Sequence, residues 1–247
     1  LTANEGTTAL HGGVDGFDQR VWTVVEESDD TITFELTSPD GDQGFPGALL
    51  ARASYRVLPN GFRLDLTAST DAPTVALLTS HVYVNTVPGG STDEQDLTVD
   101  ASGWVPIDSS SIPFGRVEPV AGTPFDLRRG VRVADVKAGD HDQIRRASGT
   151  DHSFDIDGVG FRRHARLADP ASGRFVEVWS DQPALQVFTS NFDESAPQTA
   201  DGTPLPRGLG VALEPQEHPD APHQRWSSDA VLRPGDVWSS RIEWRVG

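Results

Sequence analysis

The sequence predicts an all-β protein built as a large antiparallel β-sandwich. Three observations carry that expectation: apolar and polar residues alternate with period two in several segments, turn-forming clusters separate those segments, and helical periodicity is almost absent. Strict alternation places one face of a strand in a core and the other in water, which is the pattern of antiparallel rather than buried parallel sheets.

Along the chain, residues 31–37 (TITFELT) set Ile32, Phe34 and Leu36 on one face and Thr33 and Glu35 on the other. Phe62, Leu64 and Leu66 alternate with Arg63, Asp65 and Thr67, and the Asn60-Gly61 pair suits a tight hairpin between residues 51–57 and 62–67. Residues 75–84 are too apolar for an ordinary loop and read as a strand-like stretch. Residues 140–147 are the best candidate for a short helix, and the polar, Pro-containing segment 193–207 reads as a mobile loop. Leu185-Gln186-Val187-Phe188 alternates again, and near the end Trp238, Ile242, Trp244 and Val246 oppose Arg241, Glu243 and Arg245. Turns are expected at Pro39-Asp40-Gly41, Pro88-Gly89-Gly90 and residues 170–173. No repeat of fixed period is present, and at 247 residues the expectation is one domain, because all-β folds of this length are often single.

Composition narrows the function. The net charge is −17 and Lys137 is the only lysine, so a nucleic-acid partner, which requires clustered cations, is not expected. No apolar run approaches the roughly 18 residues of a membrane span. Cysteine is absent, which removes disulfides, thiol chemistry and cysteine-ligated metal. His218 and His223 bracket Asp220 at a spacing that could suggest a metal site, but with no third ligand on regular structure a solvated loop is the expectation. Neither a phosphate-cradling loop nor a nucleophile elbow occurs. No metal or cofactor is expected.

The chemistry concentrates in three motifs. Leu213-Glu214-Pro215-Gln216 lies in the run 208–221, Leu10-His11-Gly12-Gly13 near the start, and Thr79-Ser80-His81-Val82-Tyr83 between them. They offer one carboxylate and two imidazoles in apolar, strand-like stretches, a set suited to a reaction that takes one proton and gives another in the same turnover. Together with Asn4-Glu5-Gly6, Gly16-Phe17-Asp18, Ser38-Pro39-Asp40-Gly41, Gly44-Phe45-Pro46-Gly47, Asp151-His152-Ser153-Phe154, Gln182-Pro183-Ala184-Leu185-Gln186 and Leu232-Arg233-Pro234-Gly235, these motifs resemble the aldose 1-epimerases, or galactose mutarotases, in family order along nearly the whole chain.

The resemblance implies the galactose mutarotase-like supersandwich and interconversion of the α and β anomers of a free hexose such as galactose or glucose, without a cofactor. It implies Glu214 as the base and His81 as the acid, with His11, Tyr83, Asp151 and Gln186 contacting the sugar. Glu214 follows apolar Val211, Ala212 and Leu213, so desolvation should make it more basic than in water. Tyr83 and Phe188 are candidate aromatic walls, with ordinary core packing the expected role of Phe188. Where family members tend to read Asn-His-x-Tyr-Phe-Asn-Leu, this chain reads Ser-His-Val-Tyr-Val-Asn-Thr, so the pocket lining is expected to differ while the acid is kept. Arg20, Arg162 and Arg163 match no family position.

In that family LHGG lies well inside the protein, after several strands, whereas here it begins at residue 10. The expectation is a family domain without its N-terminal part, where any signal peptide would have stood; a cytoplasmic monomer or homodimer acting on a monosaccharide is the corresponding expectation. Two alternatives stand beside this reading. A hexose-6-phosphate 1-epimerase of the same fold would need basic residues at the pocket, against which the acidic composition argues. A non-catalytic carbohydrate-binding domain would have no use for a matched acid and base.

Overall fold

The computed structural model describes residues 1–192, 206–225 and 230–247. Most of the loop expected at 193–207 therefore lies outside the described residues. The chain forms two compact units, one of residues 1–78 and 221–241, the other of residues 79–220 and 242–247. Strands are numbered along the chain.

In the first unit, β1 (Thr23–Glu27), β2 (Thr31–Ser38), β3 (Leu49–Leu58) and β4 (Gly61–Thr70) form an antiparallel meander. Register aligns Phe34, Ala53 and Leu66 in one row and Leu36, Ala51 and Ala68 in the next, so the expected apolar face runs continuously across three strands. Its burial deepens toward β4, and Leu49, Ala51 and Ala68 join Phe17, Trp22, Leu78 and Trp238 in a core cluster. Thr33, expected on the wet face, is buried as well, its hydroxyl bonded to Ser54 Oγ at 3.0 Å. The β3–β4 hairpin exists, but its two-residue loop is Pro59-Asn60 with Leu58 opposite Gly61, one position earlier than the Asn-Gly pair suggested. β5 (Thr74–Val75) pairs with β16 (Val231–Leu232).

The second unit holds two sheets. In the first of them, residues 242–246 of β17 (Trp238–Val246) continue through β13 (Phe175–Ser180), β12 (Arg162–Ala168), β7 (Asp96–Val99) and β10 (Val131–Arg132). Val99, Ala165, Val178 and Trp244 align across it and are all buried. On the supposed outer face of β17, Glu243 is also buried, its carboxylate accepting two bonds from Arg245. The second sheet has the order β6 (Tyr83–Val84), β15 (Val211–Gln216), β14 (Ala184–Phe188), β11 (Asp151–Ile156), β8 (Ala101–Val105), β9 (Glu118–Pro119).

Two short helices connect these strands. α2 (Asp142–Ala147) falls within the expected 140–147, starting two residues later because His141 caps it from an extended conformation, its ring accepting from Gln143 N. α1 (Val133–Lys137) was not anticipated, since five residues carry too little periodicity to read. Among the described residues, no helix is long and apolar enough to cross a membrane.

Candidate active site

The six-stranded sheet sorts its side chains by alternation. Residues directly opposite one another in antiparallel strands share a face. Glu214 stands opposite Gln186, and Gln186 opposite Ser153; one row away, Tyr83 stands opposite Ala212, Ala212 opposite Phe188, and Phe188 opposite Asp151. Tyr83, Glu214, Gln186, Phe188, Asp151 and Ser153 therefore share one face. The intervening residues Leu213, Leu185, Val187, His152, Phe154 and Trp104 face the other way and are buried core. Alternation thus presents polar groups from four adjacent strands to one side while anchoring each strand by its neighbours.

Glu214 is 6% exposed. Burial pushes its carboxyl up to about 8, and the charge of Asp151 adds to the rise. His81 Nε2 lies 3.5 Å from Glu214 Oε1. The His81 ring sits 5.0 Å from that of Tyr83 and meets Phe188 edge-on at 6.5 Å. Phe188 is thus half-buried beside the histidine rather than lost in the core, and Phe192 extends the aromatic wall, 5.3 Å from Phe188 and 6.0 Å from Tyr83. Burial, then the charges of Glu214 and Asp151, push the Tyr83 phenol up to about 12, so it stays a neutral donor. Gln186 Nε2 donates to Asp151 Oδ1 at 2.6 Å, while Gln186 Oε1 is buried with no hydrogen-bond partner among the described residues.

His81 is not on a strand. Residues 76–82 are irregular, and the pairing of β15 with β6 stops where Ala212 faces Tyr83. Pro215 has no N–H to offer the ladder beyond that point, and its carbonyl instead accepts from the Thr79 hydroxyl at 2.7 Å. That single hydrogen bond ties the segment preceding His81 to the strand carrying Glu214.

His11 lies in the first unit, likewise not on a strand. Its φ of 53° and that of Gly12 at 89° are those of a mirror-image turn, closed by Gly13 N–H to Leu10 O at 3.0 Å. Asn4 clamps this turn, accepting from Leu10 N and donating to the carbonyls of Leu10 and Gly13. Gly13 permits a close approach of Gln43: a Cβ there would meet Gln43 Oε1 at 2.7 Å.

The structure thus gathers His81, Tyr83, Asp151, Gln186 and Glu214 on one side of one sheet, with His11 in the other unit. Arg20 bonds Asp42 and Asp15, Arg163 bonds Asp100 and Glu177, and Arg162 donates to the carbonyls of Ile156, Asp157 and Gly160, so all three arginines hold structure.

Sequence reasoning missed two other histidines. His152 is fully buried, and burial lowers its imidazole to about 3, with His141 adding to the shift. Its Nδ1 accepts from Asp151 N at 3.1 Å, which leaves Nε2–H to donate to Gln143 Oε1 at 3.1 Å. The start of β11, and with it Asp151, is fixed by that chain. His218, expected in a solvated loop, is instead buried against the sheet, its Nδ1 2.9 Å from Ser153 Oγ and its Nε2 3.4 Å from Asp155 Oδ1. His218 is in a loop as expected but not a solvated one, because the chain two residues past β15 packs over the same face, which composition does not reveal. Among the described residues, no group of three or more His, Cys, Asp or Glu could hold a metal ion.

Comparison with known proteins identifies relatives along nearly the whole chain. A family model described as aldose 1-epimerase matches residues 1–245. The aldose 1-epimerase of Escherichia coli strain K12 is 37% identical, aligned over 99% of this chain and 72% of that protein. The galactose mutarotase of Homo sapiens is 35% identical over 96% of this chain and 69% of its own length. Among solved structures, galactose 1-epimerase from Lactobacillus acidophilus superimposes with a TM-score of 0.88 at 26% identity, covering all of this chain and 72% of that one. An aldose epimerase homologue from C. elegans gives the same TM-score, with 74% of its length covered. The fold is therefore of the galactose mutarotase-like β-sandwich type, and the chain belongs to the aldose 1-epimerase family.

Proposed function

We propose that this protein is a mutarotase that interconverts the anomers of a free hexose such as galactose or glucose, with Glu214 as base and His81 as acid. The observation that carries the reading is the 3.5 Å approach of His81 Nε2 to a buried Glu214 carboxylate beside the rings of exposed Tyr83 and half-buried Phe188.

The reaction is proton bookkeeping. Ionised Glu214 takes the proton from the hydroxyl on C1 while protonated His81 gives one to the ring oxygen, and the bond between C1 and the ring oxygen breaks to leave an open aldehyde. Rotation about C1–C2 presents the other carbonyl face, and closure returns both protons with the roles reversed. Reactant and product differ only at C1, so the same pair serves both directions. A carboxyl shifted to about 8 exchanges protons near neutrality far more readily than one at its usual value of 4.5.

The neighbouring groups fit a sugar's hydroxyls. Asp151 accepts, neutral Tyr83 donates, and Gln186 Oε1 is an acceptor without a partner among the described residues. For His11 the proposal of a hydroxyl contact rests on the family resemblance alone, and His11→Asn tests it by a raised KM. Polarimetry on freshly dissolved α-galactose or α-glucose tests the activity itself. Acceleration over buffer supports the proposal, and none at micromolar protein contradicts it.

A further inference from the structure

Beyond the acid and base, the front face of the sheet carries a second arrangement of polar side chains. Ser153 stands opposite Gln186, which stands opposite Glu214, so the three lie in one row across three strands. His218 lies over the far end of that row, its Nδ1 2.9 Å from Ser153 Oγ and its Nε2 3.4 Å from Asp155 Oδ1. Its own N–H is held by Glu217 Oε1 at 3.0 Å. Ser153 and His218 are 3% and 4% exposed, close to the 6% of Glu214 itself.

Strand spacing gives the scale. Neighbouring strands lie about 4.8 Å apart, so the backbone at Ser153 is roughly 10 Å from that at Glu214. A pyranose with C1 held at Glu214 and its ring laid along the row would bring its opposite edge toward Ser153 and His218. The ring carbon diametrically opposite C1 is C4, and the configuration there is what separates galactose from glucose.

We propose that Ser153 and His218 together form the specificity-determining end of the site, reading the hydroxyl on C4 of the hexose. This rests on the assignment of Glu214 as the base. Ser153 is a hydroxyl that both donates and accepts, and His218 fixes its rotor, so the direction in which Ser153 can hydrogen-bond is set before the sugar arrives. With His218 Nε2 facing Asp155 Oδ1, Nδ1 accepts the Ser153 proton, so Ser153 offers the sugar an acceptor in a fixed direction. That favours one C4 epimer, whereas a freely turning hydroxyl would serve both. His218 acts on the sugar through Ser153 and is a positioning residue; Ser153 makes the contact.

The test compares kcat and KM for galactose and glucose in the wild type, Ser153→Ala, His218→Phe and His218→Gln. One hydrogen bond is worth roughly three- to tenfold in binding, so in Ser153→Ala and His218→Phe the galactose-to-glucose ratio of kcat/KM should move by at least about threefold, through KM. His218→Gln, which can still bond Ser153, should restore much of the wild-type ratio. A purely structural role would depress both sugars equally and lower the melting temperature without moving the ratio. If Ser153→Ala folds and leaves the ratio unmoved, the inference is overturned, whatever happens to the bulkier His218 variants. The outcome separates from that of the parent reading: a wild type that turns over with Glu214→Gln inactive keeps the acid–base assignment even when the ratio stays fixed, whereas an inactive wild type removes both.

Discussion

Glu214 and Gln186 stand directly opposite one another across β15 and β14, side by side on the same face of the sheet. Gln186 in turn donates to Asp151, the residue whose charge helps raise the Glu214 carboxyl. Base, amide and second carboxylate are therefore one connected unit, and each can be probed through the others.

The pH dependence follows from that connection. Glu214 must be ionised to act as a base, so the acidic limb of kcat/KM should sit near 8 rather than near 4.5. Asp151 raises the value by repulsion, so Asp151→Asn should move that limb to lower pH even as it weakens sugar binding. A limb that stays in place in Asp151→Asn would contradict the coupling.

Stability carries the same signature. Between pH 4.5 and 8 the folded protein keeps a proton on Glu214 that the unfolded chain has lost, so this group's contribution falls as pH rises through that window. Glu214→Gln removes the penalty. It should melt like the wild type near pH 4.5 and gain above pH 8, by roughly 5 kcal/mol at most at ~1.4 kcal/mol per unit. His152 and His164 work in the opposite direction. Burial lowers both to about 3 from 6.5, so the stability that they contribute is fully present above 6.5 and is lost as pH falls toward 3. Thermal melts from pH 4 to pH 9 on the wild type and Glu214→Gln separate the two trends.

His152→Phe keeps the size of the ring but leaves the Asp151 N–H without its acceptor, while Gln143 Oε1 keeps only the Ile107 N–H. A lost buried partner costs about 1–3 kcal/mol, and the loosened start of β11 should raise KM more than it lowers kcat. Chemical denaturation and steady-state kinetics on the same preparation read both effects.

On the proposed reading the Gln186 amide contacts the sugar similarly in the ground and transition states, so Gln186→Ala should mainly weaken sugar binding. A rise in KM with kcat within about threefold is the expected pattern.

Much of this was legible in the sequence because strand alternation and the ordered motifs point the same way. Phe62, Leu64 and Leu66 alternate as read, and Glu214 is as buried as Val211, Ala212 and Leu213 suggested. What was not legible depends on long-range register. Thr33 reads as a wet-face residue until Ser54 is placed beside it, and Glu243 until Arg245 bonds it. His81 reads as strand because its neighbours are apolar, yet Pro215, more than 130 positions away, ends the ladder there. His218 gave no signal of its burial, because only the path of the chain after β15 brings it against Ser153.

The central claim is that Glu214 performs the proton abstraction. Its most direct test is the polarimetric rate on fresh α-galactose for the wild type and Glu214→Gln at pH 8, with folding of both checked by circular dichroism. Loss of a general base typically costs about 10²–10⁴-fold, and a fall of that size in kcat with a folded variant is the predicted result. Near-normal turnover in Glu214→Gln would contradict the account and move the search for the base to Asp151.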